Sequence, residues 1–199
     1  MAISIEDIKK LKELTGVGLT DAKQALVEAE GDFDKALEAM RKKGLTRAEK
    51  KGDREAREGI IGSYVHDNRI GVIVEVNCET DFVARLDDFK ALVHEVALQV
   101  AAMNPAYVSD ADIPEEERAR VTKEAEERVA AEGKPAEIAE KIVEGQVSKY
   151  FAEKVLLSQP YFRDDSKTMN DVVKEGIAKL GENIVVRQFK RIELGVSED

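Results

Sequence analysis

The residue types that could support chemistry gather in one short segment, N-C-E-T-D-F-V-A-R, residues 77 to 85. A cysteine, two acids and a phenylalanine lie together there. Three kinds of site could use them. The first is a metal or acid/base site. The second is the capped start of a helix whose Phe82 enters the core. The third is a surface that presents a Phe and an acid to a partner. Each reading requires different elements around the segment.

Catalytic and metal chemistry has little support elsewhere in the chain. The two histidines are His66, near a hairpin turn, and His94, on a helix, and neither has Cys or His neighbours at metal-ligand spacing. Cys78 lies beside a Val-rich strand, where a lone Cys is more often a small buried hydrophobe. No sequence signal shows a pocket that would separate the pKa values of Glu79 and Asp81. We therefore predict that the chain is not an enzyme and uses no metal and no cofactor.

Composition restricts the class of protein further. The chain has 199 residues, of which 43% are hydrophobic and 36% charged, and this indicates a soluble, largely helical protein. It has no stretch of about 20 apolar residues and no export leader, so we predict no membrane association and a cytoplasmic location. The net charge is −10, and the basic clusters lack interleaved aromatic residues. Nucleic-acid binding is therefore not expected.

Residues 1–44 are predicted to form a compact module of three short helices. Ser4 and Asp7 have capping spacing, Gly16 and Gly18 mark the first turn, and in the second turn Gly31 suits a helix end and Asp32 the next N-cap. A module of this size has little room for chemistry, so binding is its expected use. Residues 45–59 are highly charged and nearly free of large apolar side chains, which predicts a linker with few contacts to either side.

Residues 60–199 are predicted to form an α+β core. A β-hairpin spans residues 60–77 with Asp67-Asn68 at its turn, and a long amphipathic helix follows and stops at Asn104. Two further helices, separated at residues 133–135, form a helical hairpin. A helix over residues 168–180 and a strand from residue 184 complete the core. The predicted fold is thus a three-helix module, a linker, and a three-stranded antiparallel sheet packed with helices.

For the opening segment, periodicity alone favours the helix start. Thr80 is a good N-cap and Asp81 suits the first turn of a helix. Phe82 continues backward the register of Leu86, Phe89 and Val93, which predicts that its ring is buried in the core.

Five segments in order resemble one known family. They are L-K-E-L-T-G-V-G-L-T-D-A-K-Q-A-L (11 to 26), E-G-I-I-G-S-Y-V-H (58 to 66), V-N-C-E-T-D-F-V-A-R (76 to 85), Q-P-Y-F (159 to 162) and G-E-N-I-V-V-R (181 to 187). Together they closely resemble the translation elongation factor Ts family, in its short bacterial form. No single segment is a catalytic signature, but five in the right order over nearly the whole chain are highly specific.

This resemblance implies guanine-nucleotide exchange on elongation factor Tu, with the GTPase domain bound in its GDP form and its nucleotide-free form. In the family the segment matching Thr80, Asp81, Phe82 and Val83 dislodges the magnesium ion of the bound nucleotide. That role requires Phe82 to be exposed, which is the opposite of what the periodicity favours.

The resemblance also implies that the N-terminal helices are similar to a ubiquitin-associated module that docks on the GTPase domain. The residues matching the docking positions are Lys12, Val17, Gly18, Leu19 and Thr20. The chain departs from the family where relatives often have two Met, here Leu19 and Thr20, and Thr20 also suits an N-cap. At position 12, Lys replaces the more common Arg. Short members resemble homodimers joined through their sheets, so a homodimer is expected.

One alternative from another class remains open on the sequence. A ubiquitin-associated-like helical module on a dimerising scaffold could serve as an adaptor without exchange activity. The adaptor needs only the first 43 residues and permits Phe82 to be buried, whereas exchange needs Phe82 exposed beside Asp81. An enzyme would instead need Glu79, Asp81 and one histidine to converge in a cleft.

Overall fold

The computed structural model describes residues 3–131 and 135–196, which form N-terminal helices followed by an α+β core. The eight α-helices in this part of the chain are α1 Ile5–Thr15, α2 Leu19–Glu28, α3 Phe33–Glu49, α4 Asp81–Ala84, α5 Asp87–Met103, α6 Glu115–Ala131, α7 Ala136–Lys154 and α8 Met169–Leu180. The strands are β1 Glu58–His66, β2 Ile70–Cys78, β3 Pro160–Tyr161, β4 Asp164–Thr168 and β5 Ile184–Glu193. The predicted fold class is confirmed.

The first three helices enclose a small apolar core of their own. Ser4 caps α1 by accepting a hydrogen bond from the backbone N–H of Asp7 (3.0 Å), and Asp32 caps α3 in the same way. Gly16 ends α1 with a φ of 66°, in the left-handed region that favours glycine. The buried residues of this core are Leu11, Val17, Ala22, Ala25, Leu26, Ala36 and Met40.

The main sheet has three antiparallel strands in the order β1-β2-β5. Asp67 and Asn68 form the β1–β2 turn with φ of 47° and 55°, both left-handed, as a type I′ hairpin turn requires. Alternate residues of β2, Val72, Val74 and Val76, are buried in the main core, which α5 and α8 complete. The predicted hairpin is therefore confirmed.

The segment predicted as a linker makes more contacts than its composition indicates. Helix α3 continues past residue 44, and Ala48 belongs to the main core cluster. Ala56 is also buried, and the side-chain amide of Asn183 donates to the carbonyl oxygen of Arg54 at 2.7 Å. The expectation of few contacts is wrong because small alanines can pack closely without a large apolar side chain. Whether residues 1–44 and 60–199 fold separately stays a prediction.

Helices α6 and α7 pack on one another as an arm, in agreement with the predicted helical hairpin. Residues 133 and 134 of its predicted turn lie outside the described residues. At the base of the arm, Phe151 is buried with Ile113 and Val155, and the guanidinium of Arg118 lies over its ring at 5.2 Å. No helix in the described ranges is long and apolar enough to cross a membrane.

A second, two-stranded sheet was not predicted, and a buried polar network holds it. Gln99 and Gln159 are both fully buried. The Gln99 amide donates to Oε1 of Gln159 (3.2 Å) and accepts from the backbone N–H of Phe162 (3.0 Å), while Gln159 donates to the carbonyl oxygen of Glu153 (2.8 Å). Buried amides need such partners. The Q-P-Y-F segment is thus anchored between α5 and the end of α7.

The N-terminal helices pack directly against the core at Gly16, and this contact can be tested. A Cβ atom on Gly16 would lie 2.8 Å from Cγ and 2.9 Å from Cβ of Lys179, and closer still to its Cα, whereas a Cβ on Gly18 would meet open space. We expect Gly16→Ala to lower the free energy of unfolding by about 2 kcal/mol, because left-handed backbone and steric overlap both oppose it. Gly18→Ala should cost under about 1 kcal/mol. Urea denaturation followed by circular dichroism measures both, and equal losses would contradict this packing.

Candidate functional site

The corner between β2 and α4 is a capped helix start. Thr80 is the N-cap of α4 with extended backbone, and its Oγ1 accepts a hydrogen bond from the backbone N–H of Val83 at 3.4 Å. Asp81 occupies the first turn, where a carboxylate interacts favourably with the helix dipole. The predicted N-cap at Thr80 and the predicted first-turn position of Asp81 are therefore confirmed.

Phe82 projects into solvent from this corner, with 78% of its surface exposed. The burial that periodicity favoured is wrong because the helix is not continuous. Helix α4 ends at Ala84, and Leu86 has extended backbone (ψ 142°) before α5 begins at Asp87. This break shifts Phe82 out of phase with Phe89, which is fully buried in the core.

Of residues 80 to 83, Asp81 and Phe82 are accessible to solvent, whereas Thr80 and Val83 attach α4 to the rest of the protein. Asp81 is about half exposed and accepts a hydrogen bond from Nη2 of Arg85 at 2.7 Å. Val83 is buried and belongs to the main core cluster. Thr80 caps the helix. Phe82 and Asp81 are thus offered to the solvent on a helix that Thr80 and Val83 attach to the core.

A glutamate that the sequence analysis did not single out holds this corner from outside. Oε2 of Glu182 accepts hydrogen bonds from the backbone N–H groups of Glu79 (3.1 Å) and Thr80 (3.0 Å), and its Oε1 accepts one from Oγ1 of Thr80 (2.6 Å). In return, the backbone N–H of Asn183 donates to Oε1 of Glu79 at 2.7 Å. Glu182 is part of the quoted G-E-N segment, but no local pattern reveals a partner so distant in sequence.

Cys78 is structural here. It is fully buried, as predicted, and its Sγ donates a hydrogen bond to the carbonyl oxygen of Thr80 at 3.2 Å. Burial, together with the nearby Glu182 carboxylate, raises the pKa of the Cys78 thiol to about 11. The thiol is therefore protonated at neutral pH and is a poor nucleophile.

Neither histidine lies with Glu79 and Asp81 at the corner, as the enzyme alternative would require. Both histidines lie by Tyr64: Nδ1 of His66 is 2.9 Å from the Tyr64 hydroxyl, and the His94 ring meets the Tyr64 ring edge-on at 5.8 Å between centroids. His66 pairs with Ile70, at the opposite end of the β1–β2 hairpin from the corner. Within the described ranges, no group of three or more His, Cys, Asp or Glu side chains is placed to hold a metal ion.

The predicted docking residues lie at the end of α1 and the turn into α2. Lys12, Gly18, Leu19 and Thr20 are exposed, and Leu19 has 52% of its surface accessible. Val17 is buried in the core of the N-terminal helices, so its position there is structural. Helix α2 begins at Leu19 with Gly18 as its N-cap, so the N-cap interpretation of Thr20 is wrong.

Comparison with known proteins shows similarity over nearly the whole chain. Residues 5–195 match the family model described as "Elongation factor TS". The chain is similar to elongation factor Ts of Coprothermobacter proteolyticus, with 55% identity covering 98% of this chain and 100% of that protein. It is also similar to elongation factor Ts of Herpetosiphon aurantiacus (50% identity, 98% and 99% covered) and of Moorella thermoacetica (49% identity, 97% and 96% covered).

Proposed function

The chain belongs to the elongation factor Ts family of translation factors, and from this premise we propose that it promotes GDP release from elongation factor Tu by displacing the bound magnesium ion. The proposed setting is translation elongation in the cytoplasm. The observation that carries the proposal is the exposed Phe82 beside Asp81 on a firmly held corner. An adaptor without exchange activity does not require Phe82 to be exposed beside Asp81.

The proposed mechanism needs no covalent chemistry on this chain. A factor that binds nucleotide-free GTPase more tightly than the GDP form weakens GDP binding by the same ratio, because coupling between two ligands is reciprocal. The factor and GDP then compete through the conformation of the nucleotide site. Exchange follows when GTP, in excess, binds after the factor has lowered the affinity for GDP.

Phe82 is the group suited to distort the partner's site. Its ring is rigid and exposed, so it loses little conformational entropy on insertion and gains from leaving water. Asp81 next to it brings a carboxylate that competes for polar contacts near the magnesium ion. We propose that the two act together, with Thr80 and Val83 fixing α4 to the core.

The N-terminal helices supply affinity in this proposal. Lys12, Gly18, Leu19 and Thr20 offer an exposed surface at the turn between α1 and α2, and Val17 supports that turn from inside. Binding through a separate surface delivers Phe82 to one place on the partner at high effective concentration.

The direct test is release of fluorescently labelled GDP from elongation factor Tu after addition of excess unlabelled nucleotide. We propose that this protein accelerates the release and that its effect saturates with concentration. Chelation of magnesium should reduce the acceleration, because it removes the ion that Phe82 and Asp81 would displace. Release at the intrinsic rate at every concentration of the protein would refute the proposal.

The outer face of the main sheet supports a further part of the proposal, a homodimer. This face carries large exposed apolar side chains on all three strands: Ile61, Val65, Ile73 and Ile192. Several large exposed apolar side chains on one face of a sheet are typical of an interaction surface. We propose that two copies bury this face against each other by a twofold axis.

Ile73 is the position at which to test the dimer. It lies on the central strand β2, opposite Ser63 and Lys190, with 54% of its surface exposed. We expect Ile73→Lys to reduce the mass measured by light scattering from twice the 22.1 kDa of the chain to that of a monomer, since an interfacial ammonium would be buried unpaired. Ile138→Lys, at a similarly exposed site on α7, is the control and should remain dimeric. A monomeric parent protein at micromolar concentration would contradict the dimer.

A further inference from the structure

The C-terminal end of α8 joins the two surfaces of the proposed function. We use the name α8 junction for residues 179 to 183. We call the turn between α1 and α2, residues 16 to 18, the docking turn. The junction contacts the docking turn at Gly16, the segment after α3 at Lys51, and the corner that carries Phe82. These three parts are far apart in sequence, and the junction contacts all of them.

The first contacts of the junction orient the N-terminal helices and α5. Gly16 packs against the backbone of Lys179, with no space for a side chain between them. Nζ of Lys179 forms an ion pair with Asp88 in the first turn of α5, at 2.7 Å. Nζ of Lys51 donates to the carbonyl oxygen of Gly181. The docking turn and the start of α5 thus both contact the same short stretch of the chain, residues 179 to 181.

The last contacts of the junction hold the Phe82 corner, and Glu182 makes three of them. Its Oε2 accepts hydrogen bonds from the backbone N–H groups of Glu79 and Thr80, immediately before α4, and its Oε1 accepts one from Oγ1 of Thr80. Helix α4 has only four residues, and a single turn does not hold its own orientation. Charge-assisted hydrogen bonds are stronger than neutral ones, so this carboxylate is a main determinant of where α4 begins.

We propose that Glu182 is a positioning residue for nucleotide exchange, which fixes the direction of Phe82 relative to the docking turn by clamping the backbone before α4. This inference rests on the proposed function and deepens it. Both oxygens of Glu182 face the corner, so the residue acts through Phe82 and not by touching the nucleotide. Loss of the clamp lets α4 sample other orientations, and the exposed ring then enters the partner's site less often.

The expected signature is a change in rate without a change in docking. In the labelled-GDP assay, Glu182→Ala should lower the maximal release rate at saturating protein by roughly tenfold, the scale of a misplaced group held from a distance. The half-saturating concentration should change less than about twofold, because Leu19 and its neighbours remain in place. Glu182→Gln keeps one acceptor oxygen for the two backbone N–H groups and should restore part of the rate.

Glu95 provides a matched control on the same core. Glu95 lies in the middle of α5, and its Oε2 also accepts two hydrogen bonds, from the Tyr161 hydroxyl (2.6 Å) and from Nε of Arg163 (2.9 Å). Glu95→Ala therefore removes a comparable carboxylate network without touching α4. We expect it to exchange nucleotide at the parent maximal rate.

A purely structural role for Glu182 would give a different pattern in two readouts. First, Glu182→Ala should have a much smaller effect in a Phe82→Ala background, where only the position of Asp81 can still change, whereas general destabilisation would lower the rate by the same factor again. Second, hydrogen exchange of the Glu79 and Thr80 backbone amides should accelerate in Glu182→Ala while the amides of β2 keep their protection. If the alanine variant does not fold, Glu182→Gln carries both tests.

The failure of this inference can be told from failure of the proposed function. If the parent protein accelerates GDP release and Phe82→Ala does not, but Glu182→Ala matches the parent maximal rate, the positioning role is overturned alone. An undiminished effect of Glu182→Ala in the Phe82→Ala background overturns it as well. If the parent protein leaves GDP release unchanged, the proposed function and this inference both fall.

Discussion

Phe82→Ala is expected to lower the maximal rate of GDP release from elongation factor Tu by about tenfold or more at saturating protein. The side chain is 78% exposed, so its ring is available to a partner and contributes little to folding. Truncation should therefore change the free energy of unfolding by less than about 1 kcal/mol. Stopped-flow measurement of labelled GDP gives the rate, and thermal denaturation followed by circular dichroism gives the stability.

Phe89→Ala is the matched control for this change. Phe89 lies seven residues later, on α5, and is fully buried in the main core. Removing its ring should cost about 3 to 5 kcal/mol of the free energy of unfolding, since a buried ring leaves a cavity. The two variants separate a binding role from a packing role. A Phe82→Ala protein that melts as early as Phe89→Ala, or that exchanges nucleotide at the parent rate, would show that the ring is not a wedge.

Local signals in the sequence were sufficient for the elements on both sides of the site. Caps at Ser4, Asp32 and Thr80 depend on one side chain and the next few backbone N–H groups. The turn at Asp67-Asn68 depends on two residues that tolerate positive φ. Such features are encoded within a few residues, and for this reason they can be predicted without knowing the rest of the fold.

The orientation of Phe82 could not be obtained from periodicity, because the relevant feature is a break in a helix. The apolar spacing from Phe82 to Phe89 and Val93 fits one continuous helix. The chain instead leaves helical geometry at Leu86, where no Pro or Gly marks the interruption. The resemblance to the family implied the exposed ring correctly, since it compares whole segments and does not assume a continuous helix.

Contacts between distant segments were the other part that the sequence did not reveal. Glu182 and Thr80 are 102 residues apart, and nothing in either local pattern selects the other as a partner. Ala48 and Ala56 were missed because small side chains in a charged segment give no apolar signal. The residues of the proposed site could therefore be suggested from the sequence resemblance, whereas the groups that hold them in place required the fold.

Leu19→Asp is expected to raise the half-saturating concentration for GDP release by about tenfold or more while leaving the maximal rate unchanged. Leu19 is half exposed at the first position of α2, and a charge there would have to be desolvated on binding. The fold should tolerate the change, because an acid in the first turn of a helix interacts favourably with its dipole. Titration of the protein in the labelled-GDP assay measures both quantities.

Two control variants define what this result means. Leu19→Met keeps an apolar side chain and should resemble the parent, while Val27→Asp places the same charge at a similarly exposed position of α2, outside the proposed docking residues.

If docking and magnesium displacement are separate tasks, Leu19 variants change the concentration dependence and Phe82 variants change the maximal rate. A Leu19→Asp protein with a reduced maximal rate at saturation would mean that the turn between α1 and α2 also determines the position of α4. Because Gly16 packs on the same α8 junction that clamps Thr80, such a result would place the coupling between the two surfaces in residues 179 to 183.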